Sequence, residues 1–371
     1  MASDEFQIPG TTPSPEQQPA PRPPAPEPVR IPRPPKDRPP RNPQKMAIII
    51  ASVISLTLIG GILWWALAAQ PPTQDLASVN TSPKTTATKT PAPTAAKAAA
   101  IDLTKLPLGD GKRSSTAKQG YVQTCRSSFP ANAPGAQTAG PWIDQANKTW
   151  DATKKVEVGG DVDWPQAKLS ITTSGANRLI TSNALPEHLT GIYPVRASDP
   201  AYKYDRNPGS IQANDLSFTL PLNPTVQSQS TCIFGEVAIL LSGSVLFDAF
   251  DAGGRDAVAW ELQDKCAGHP NHMYHYHGYT PCVQDKSAAG AHSDLVGYAF
   301  DGFGLYGLKG EGGVQLSTKD LDECHGHTHA LPWNGSTKSI YHYHLTRDFP
   351  YSVGCFRGVR SVSGPVGQAP L

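Results

Sequence analysis

The sequence predicts an all-β domain of sandwich or barrel type with few short helices, exported and held to a membrane by one helix. Three observations carry this. Short alternating or apolar runs separated by Gly, Pro, Asn and Asp clusters fill the C-terminal two thirds. One charge-free apolar stretch of membrane-spanning length precedes them. All six cysteines, and all eleven histidines, follow that stretch.

Residues 1–45 contain fifteen prolines and no apolar periodicity. Such a segment buries too little surface to offset its ordering entropy, so it reads as a disordered cytoplasmic tail of polyproline-II character. Runs such as Pro32-Arg33-Pro34-Pro35 suit a proline-binding partner module. Residues 46–69 carry no charge and end near Trp64 and Trp65, whose indoles favour the headgroup interface. At about 1.5 Å per residue the run spans a hydrocarbon core of roughly 30 Å, so the lipid bilayer is its expected partner. Arg22, Arg30, Arg33, Lys36, Arg38, Arg41 and Lys45 precede the run, and no basic residue follows before Lys84. The positive-inside rule then places the N-terminus in the cytoplasm and the C-terminus outside. Ala66-Leu67-Ala68 resembles a signal-peptidase site, but the apolar run is longer than a signal h-region and the segment before it is long, which favours an uncleaved anchor. Residues 70–117, rich in Pro, Thr, Ala, Ser and Lys, read as an extended spacer.

Residues 118–371 form the exported domain. Strands are expected at Val156-Glu157-Val158, from Lys168 to Thr172, from Ser217 to Leu220, from Glu236 to Leu241 and from Ser244 to Phe247, with a short helix between Arg255 and Asp264. An even cysteine count on one side of a membrane implies disulfides, and six cysteines allow fifteen pairings. No Cys-x-x-Cys spacing suggests a thiolate metal site. A net charge of +1 gives no basic domain for nucleic acid, and no phosphate-binding glycine loop occurs.

Histidine is the strongest chemical signal. Ten of the eleven lie between residues 269 and 344, and the tetrapeptide Tyr-His-Tyr-His occurs twice, at residues 274–277 and 341–344. Alternate side chains of a strand share a face, so His275 and His277 point together, as do His342 and His344, with the tyrosines opposite. Two such strands side by side would converge four imidazoles, a donor set for zinc or copper. His269, His327 and His188 are further candidate ligands. Without a metal, the same imidazoles would be hydrogen-bonded structural groups or acid–base catalysts.

The doubled tetrapeptide and its surroundings resemble the YHYH-domain proteins over roughly residues 120–360. The matching segments are Ser182-Asn183-Ala184-Leu185-Pro186-Glu187-His188, Gly254-Arg255-Asp256-Ala257, Trp260-Glu261, and Asp264 through Pro270. They continue with Gly297 through Gly307, Leu321 through His327, and Pro350 through Cys355. The family pattern has glycine where this chain has Ala184, and more often proline where it has Gly304. The resemblance implies an exported or membrane-attached domain and leaves the activity open. Three roles are consistent with it: a metal-binding module, a metal-dependent envelope hydrolase with Asp301, Asp322 or Glu323 as base, and a metal-free module for an envelope ligand or protein.

Overall fold

A computed structural model describes residues 101–361 except 131, 132, 134 and 137. The proline-rich tail, the apolar run 46–69 and most of the expected spacer lie outside the described residues. Among the described residues no helix is long and apolar enough to cross a membrane.

The all-β expectation holds. Five two-residue strands come first: β1 (Leu106–Pro107), β2 (Arg113–Ser114), β3 (Val122–Gln123), β4 (Ile143–Asp144) and β5 (Thr149–Trp150). The first two correct the spacer's end. Leu106 and Leu108 are buried and the Gly109 N–H donates to Asp256, so residues 101–117 belong to the folded region. Strands this short leave no periodic pattern to read. Next, β6 (Leu169–Ser174), β7 (Asn177–Ser182) and β8 (Leu216–Pro221) form an antiparallel sheet. β8 turns Leu216, Phe218 and Leu220 inward, and Phe218 stacks on Phe300 at 4.8 Å between ring centroids. The expected strand at Val156-Glu157-Val158 reduces to a single bridge between Val158 and Asp264.

The main sheet has eight strands: β9 (Glu236–Leu240), β10 (Val245–Phe247), β11 (Gly268–Asn271), β12 (Met273–Tyr276), β13 (Leu295–Ala299), β14 (Gly304–Tyr306), β15 (Gly326–Trp333) and β16 (Ser336–His344). Their order is β11-β12-β10-β9-β13-β14-β16-β15. The two outermost strands do not pair with each other, so the sheet is open and not a barrel. The one α-helix among the described residues, α1 (Ala257–Trp260), falls within the predicted helical segment.

That order is a palindrome: β9 to β12 form one half, and β13 to β16 repeat it about the β9–β13 seam. Ile239 pairs with Tyr298 at the centre. On either side, the Leu241 N–H donates to Val296 and the Phe300 N–H to Val237, both at 2.9 Å. In each half the second strand pairs parallel with the Tyr-His-Tyr-His strand, and a hairpin partner lies outside it. Antiparallel neighbours need only tight turns, and β15–β16 uses Asn334-Gly335, both at positive φ, as its two-residue turn. The parallel pairs require longer crossovers. Cysteines occupy matching places: Cys266–Cys282 in the first half and Cys324–Cys355 in the second, with Cys125–Cys232 tying in the N-terminal segment. Three disulfides point to an oxidising, extracytoplasmic compartment.

Candidate metal centres

Both tetrapeptides are buried on both faces of the sheet. On the tyrosine face the phenols satisfy buried acids and hydroxyls. Tyr274 donates to Asp264 at 2.8 Å and Tyr341 to Asp322 at 3.0 Å, the same bond in each half. Tyr343 donates to Asp301 at 2.6 Å. Asp301 also accepts from the Gly358 N–H, Asp322 from the Cys324 and Gly326 N–H groups, and Glu323 pairs with Arg357. The three carboxylates considered as catalytic bases are therefore held in structural contacts. Ala267 and His325 take matching left-handed conformations in the turns that follow Asp264 and Asp322. His325 thus serves as a turn residue, with its Nε2 against the Thr346 hydroxyl at 3.0 Å.

The histidine face corrects one expectation. The two Tyr-His-Tyr-His strands are not neighbours; β10, β9, β13 and β14 lie between them. Four imidazoles from the two tetrapeptides do not converge. Each half instead builds its own cluster, with a third histidine supplied by the paired hairpin strand. His269 stands opposite His275, and His327 opposite His342.

The first cluster is His269, His275 and His277, whose ligand atoms lie within 4.8 Å of one another. Glu261, next after α1, places Oε2 3.5 Å from Nε2 of both His269 and His277. Neither that oxygen nor His269 Nε2 has a hydrogen-bond partner. Behind the rings, Nδ1 of His275 and of His277 donates to the Met273 and Asp248 carbonyls at 3.1 and 2.6 Å. A neutral imidazole carries one N–H, so both present a bare Nε2. His269 Nδ1 lies 3.3 Å from the Asn207 amide nitrogen, a longer contact. Burial pushes His275 down to about 3 and His277 down to about 4, and holds His269 well below its ordinary value. Burial, reinforced by Asp251 and Asp205, raises Glu261 well above the usual carboxylate range. Unpaired, the group is held protonated, and a cation beside it would favour the carboxylate form.

The second cluster is His292, His327, His342 and His344, again within 4.8 Å of one another. Nδ1 of His292, His342 and His344 donates to the carbonyls of Ser293, Ile340 and Gly307 at 2.7, 3.1 and 2.7 Å. All three Nε2 atoms are therefore bare. Yet His292 Nε2 and His344 Nε2 face each other at 3.1 Å, and His327 Nε2 is also 3.1 Å from His344 Nε2. Two opposed lone pairs at that distance repel unless a cation lies between them. A tetrahedral site with metal–nitrogen bonds of about 2.0–2.1 Å has nitrogen–nitrogen edges of about 3.3 Å, close to what is seen. Carbonyls orienting the far ring nitrogen are the usual support for metal-binding imidazoles. His342 and His344 are buried, whereas His292 and His327 are half-buried. Burial drives His327 down to about 4 and lowers His292, so all four rings are held neutral, the form that binds metal.

Of the residues singled out from sequence, His275, His277 and His269 come together in one cluster and His342, His344 and His327 in the other. His188 joins neither. Its Nε2 accepts from the Tyr276 hydroxyl at 2.6 Å on the tyrosine face. Cys266 and Cys282 lie near His188, but their disulfide removes them as thiolate ligands. His188 and Ser242 line a cavity of about 1090 Å³ together with Trp164, Asn183 and Asp215. Sequence reasoning missed two participants. Glu261 was noted only within the Trp260-Glu261 segment and not as a ligand, and His292 belongs to neither tetrapeptide.

An open, duplicated β-sheet with a histidine cluster in each half defines a β-domain built around potential metal centres. Residues 217–315 match the family model described as YHYH protein. The match runs from β8 through β14 and stops short of the second tetrapeptide. No curated protein and no solved structure matches the chain.

Proposed function

We propose that this chain is a membrane-anchored, extracytoplasmic YHYH protein that binds a first-row transition ion in each half of its duplicated sheet. Zinc and copper are the metals that suit imidazole donors. One observation carries the reading. In the second cluster, bare Nε2 atoms of His292 and His344 oppose each other at 3.1 Å with their far nitrogens committed to carbonyls. The orphaned Glu261 Oε2 and His269 Nε2 support the first centre. A metal would supply Lewis acidity or redox chemistry; the chain's own residues orient the imidazoles and keep them unprotonated. Anchoring through residues 46–69 completes the reading. A ligand-binding role in the envelope is the second reading, favoured by the cavity beside His188 and Trp164. A hydrolase finds less support, because Asp301, Asp322 and Glu323 are held in structural contacts.

The test is elemental mass spectrometry on the untagged full chain purified from an oxidising compartment. Near-stoichiometric zinc or copper is expected, reduced in a His342→Ala/His344→Ala variant. A metal-free chain that takes up neither ion on titration would sink the proposal.

A further inference from the structure

The two clusters are equivalent in the fold but differ in donors and in access. His269, His275 and His277 are 3–4% exposed and Glu261 is 8% exposed. That set is buried, and the Phe247 ring packs against it, 4.4 Å from His275 and 5.9 Å from His277. The matching ring in the second half, Tyr306, likewise lies 5.0 Å from His342 and 6.2 Å from His344. There, however, the remaining ligands are His292 and His327, both half-buried at the rim. His292 follows the chain into β13, and the corresponding position before β9 is Ile233, a buried apolar residue. Charge differs as well. A divalent ion buried in the first cluster is offset by the Glu261 carboxylate, whereas the second offers four neutral rings and relies on solvent at its rim.

We infer that the first cluster holds a resident ion that leaves only when the domain opens, and the second holds an exchangeable one that loads and unloads in the folded protein. This rests on the metal-binding reading above. The rim histidines give an incoming ion or chelator a first contact without unfolding. Reaching His269, His275 and His277 requires displacing β12, the buried residues 268–270 of β11 or the buried segment after α1. Sub-global opening of buried strands is far rarer than motion at a rim, so the release rates should differ by at least about 100-fold.

The experiment loads the full chain with zinc, adds excess EDTA under native conditions and follows bound zinc by elemental analysis, with a parallel sample in urea. About half of the zinc should leave quickly and the rest only on unfolding. His292→Ala/His327→Ala, at the rim, should abolish the fast fraction alone. Glu261→Gln, which keeps side-chain volume, should deplete or accelerate the slow fraction alone. Equal release of all zinc in one phase, or loss of the slow fraction in the rim variant, would overturn the inference while leaving metal binding intact. A chain that binds no zinc or copper would instead overturn the reading on which it rests, and this inference with it.

Discussion

The two halves of the main sheet share strand order, turn geometry and the tetrapeptide, and they differ in what surrounds the histidines. In the first half the tyrosine beside the cluster, Tyr276, meets Ser242 and His188; in the second, Tyr343 meets a buried acid, Asp301. The first cluster closes under a carboxylate and the second opens through two rim imidazoles. The contrast teaches that the repeated motif provides a donor pair and a tyrosine support, while loops that do not repeat decide charge and access.

The largest expected effect tests whether the two halves share one scaffold. A Cβ on Gly268 would lie 2.3 Å from the Tyr274 ring, and one on Gly326 would lie 2.4 Å from both the His342 carbonyl and the Tyr341 hydroxyl. Gly268→Ala and Gly326→Ala should each cost about 3 kcal/mol in urea unfolding, with Gly326→Ala the worse because backbone is one of its obstacles. If either variant keeps wild-type stability, tyrosine-over-glycine packing in that half is wrong.

A smaller effect separates the halves. Glu236 opens β9 where Leu295 opens β13; neither Glu236 carboxylate oxygen has a hydrogen-bond partner, and burial pushes the group up to about 7. A carboxyl whose folded pKa is raised is best tolerated below its unfolded value, and its contribution is lost as pH rises through the folded one. Wild-type stability should therefore fall from about pH 4.5 to above pH 7 through this group, and Glu236→Gln should remove that fall. The variant should gain on the order of 2 kcal/mol over the wild type between pH 5 and pH 8. Parallel pH profiles for the two proteins would refute the assignment.

The smallest effect concerns Ala184, buried at a φ of 60° where the family pattern has glycine. The left-handed region penalises a Cβ, so Ala184→Gly should raise stability by about 0.5 kcal/mol after the added freedom of the unfolded chain is counted. Thermal melts that show a loss would mean that the buried methyl's contacts outweigh the strain.

Much of the fold was legible in the residues. The runs from Ser217 to Leu220, Glu236 to Leu241 and Ser244 to Phe247 became β8, β9 and β10, because period-two patterns and continuous apolar runs report burial directly. The pairing of His275 with His277, and of His342 with His344, followed from the same alternation. The duplication shows in the sequence as the repeated tetrapeptide and as Asp-x-Cys-x-Gly-His at residues 264–269 and 322–327, while other matched positions differ in kind, as with Ser242 and Asp301, or Ile233 and His292. The packed segment 101–117 was read as spacer because its two-residue strands carry no pattern.

By itself the sequence determined the all-β class, the oxidised cysteines and which side chains of each tetrapeptide share a face, since composition and strand alternation act locally. Only the tertiary structure decided that four strands separate the tetrapeptides, that Glu261 and His292 complete different clusters, and that His188 serves a tyrosine. Those outcomes depend on strand order and loop closure across distant parts of the chain, and local periodicity carries no information about either.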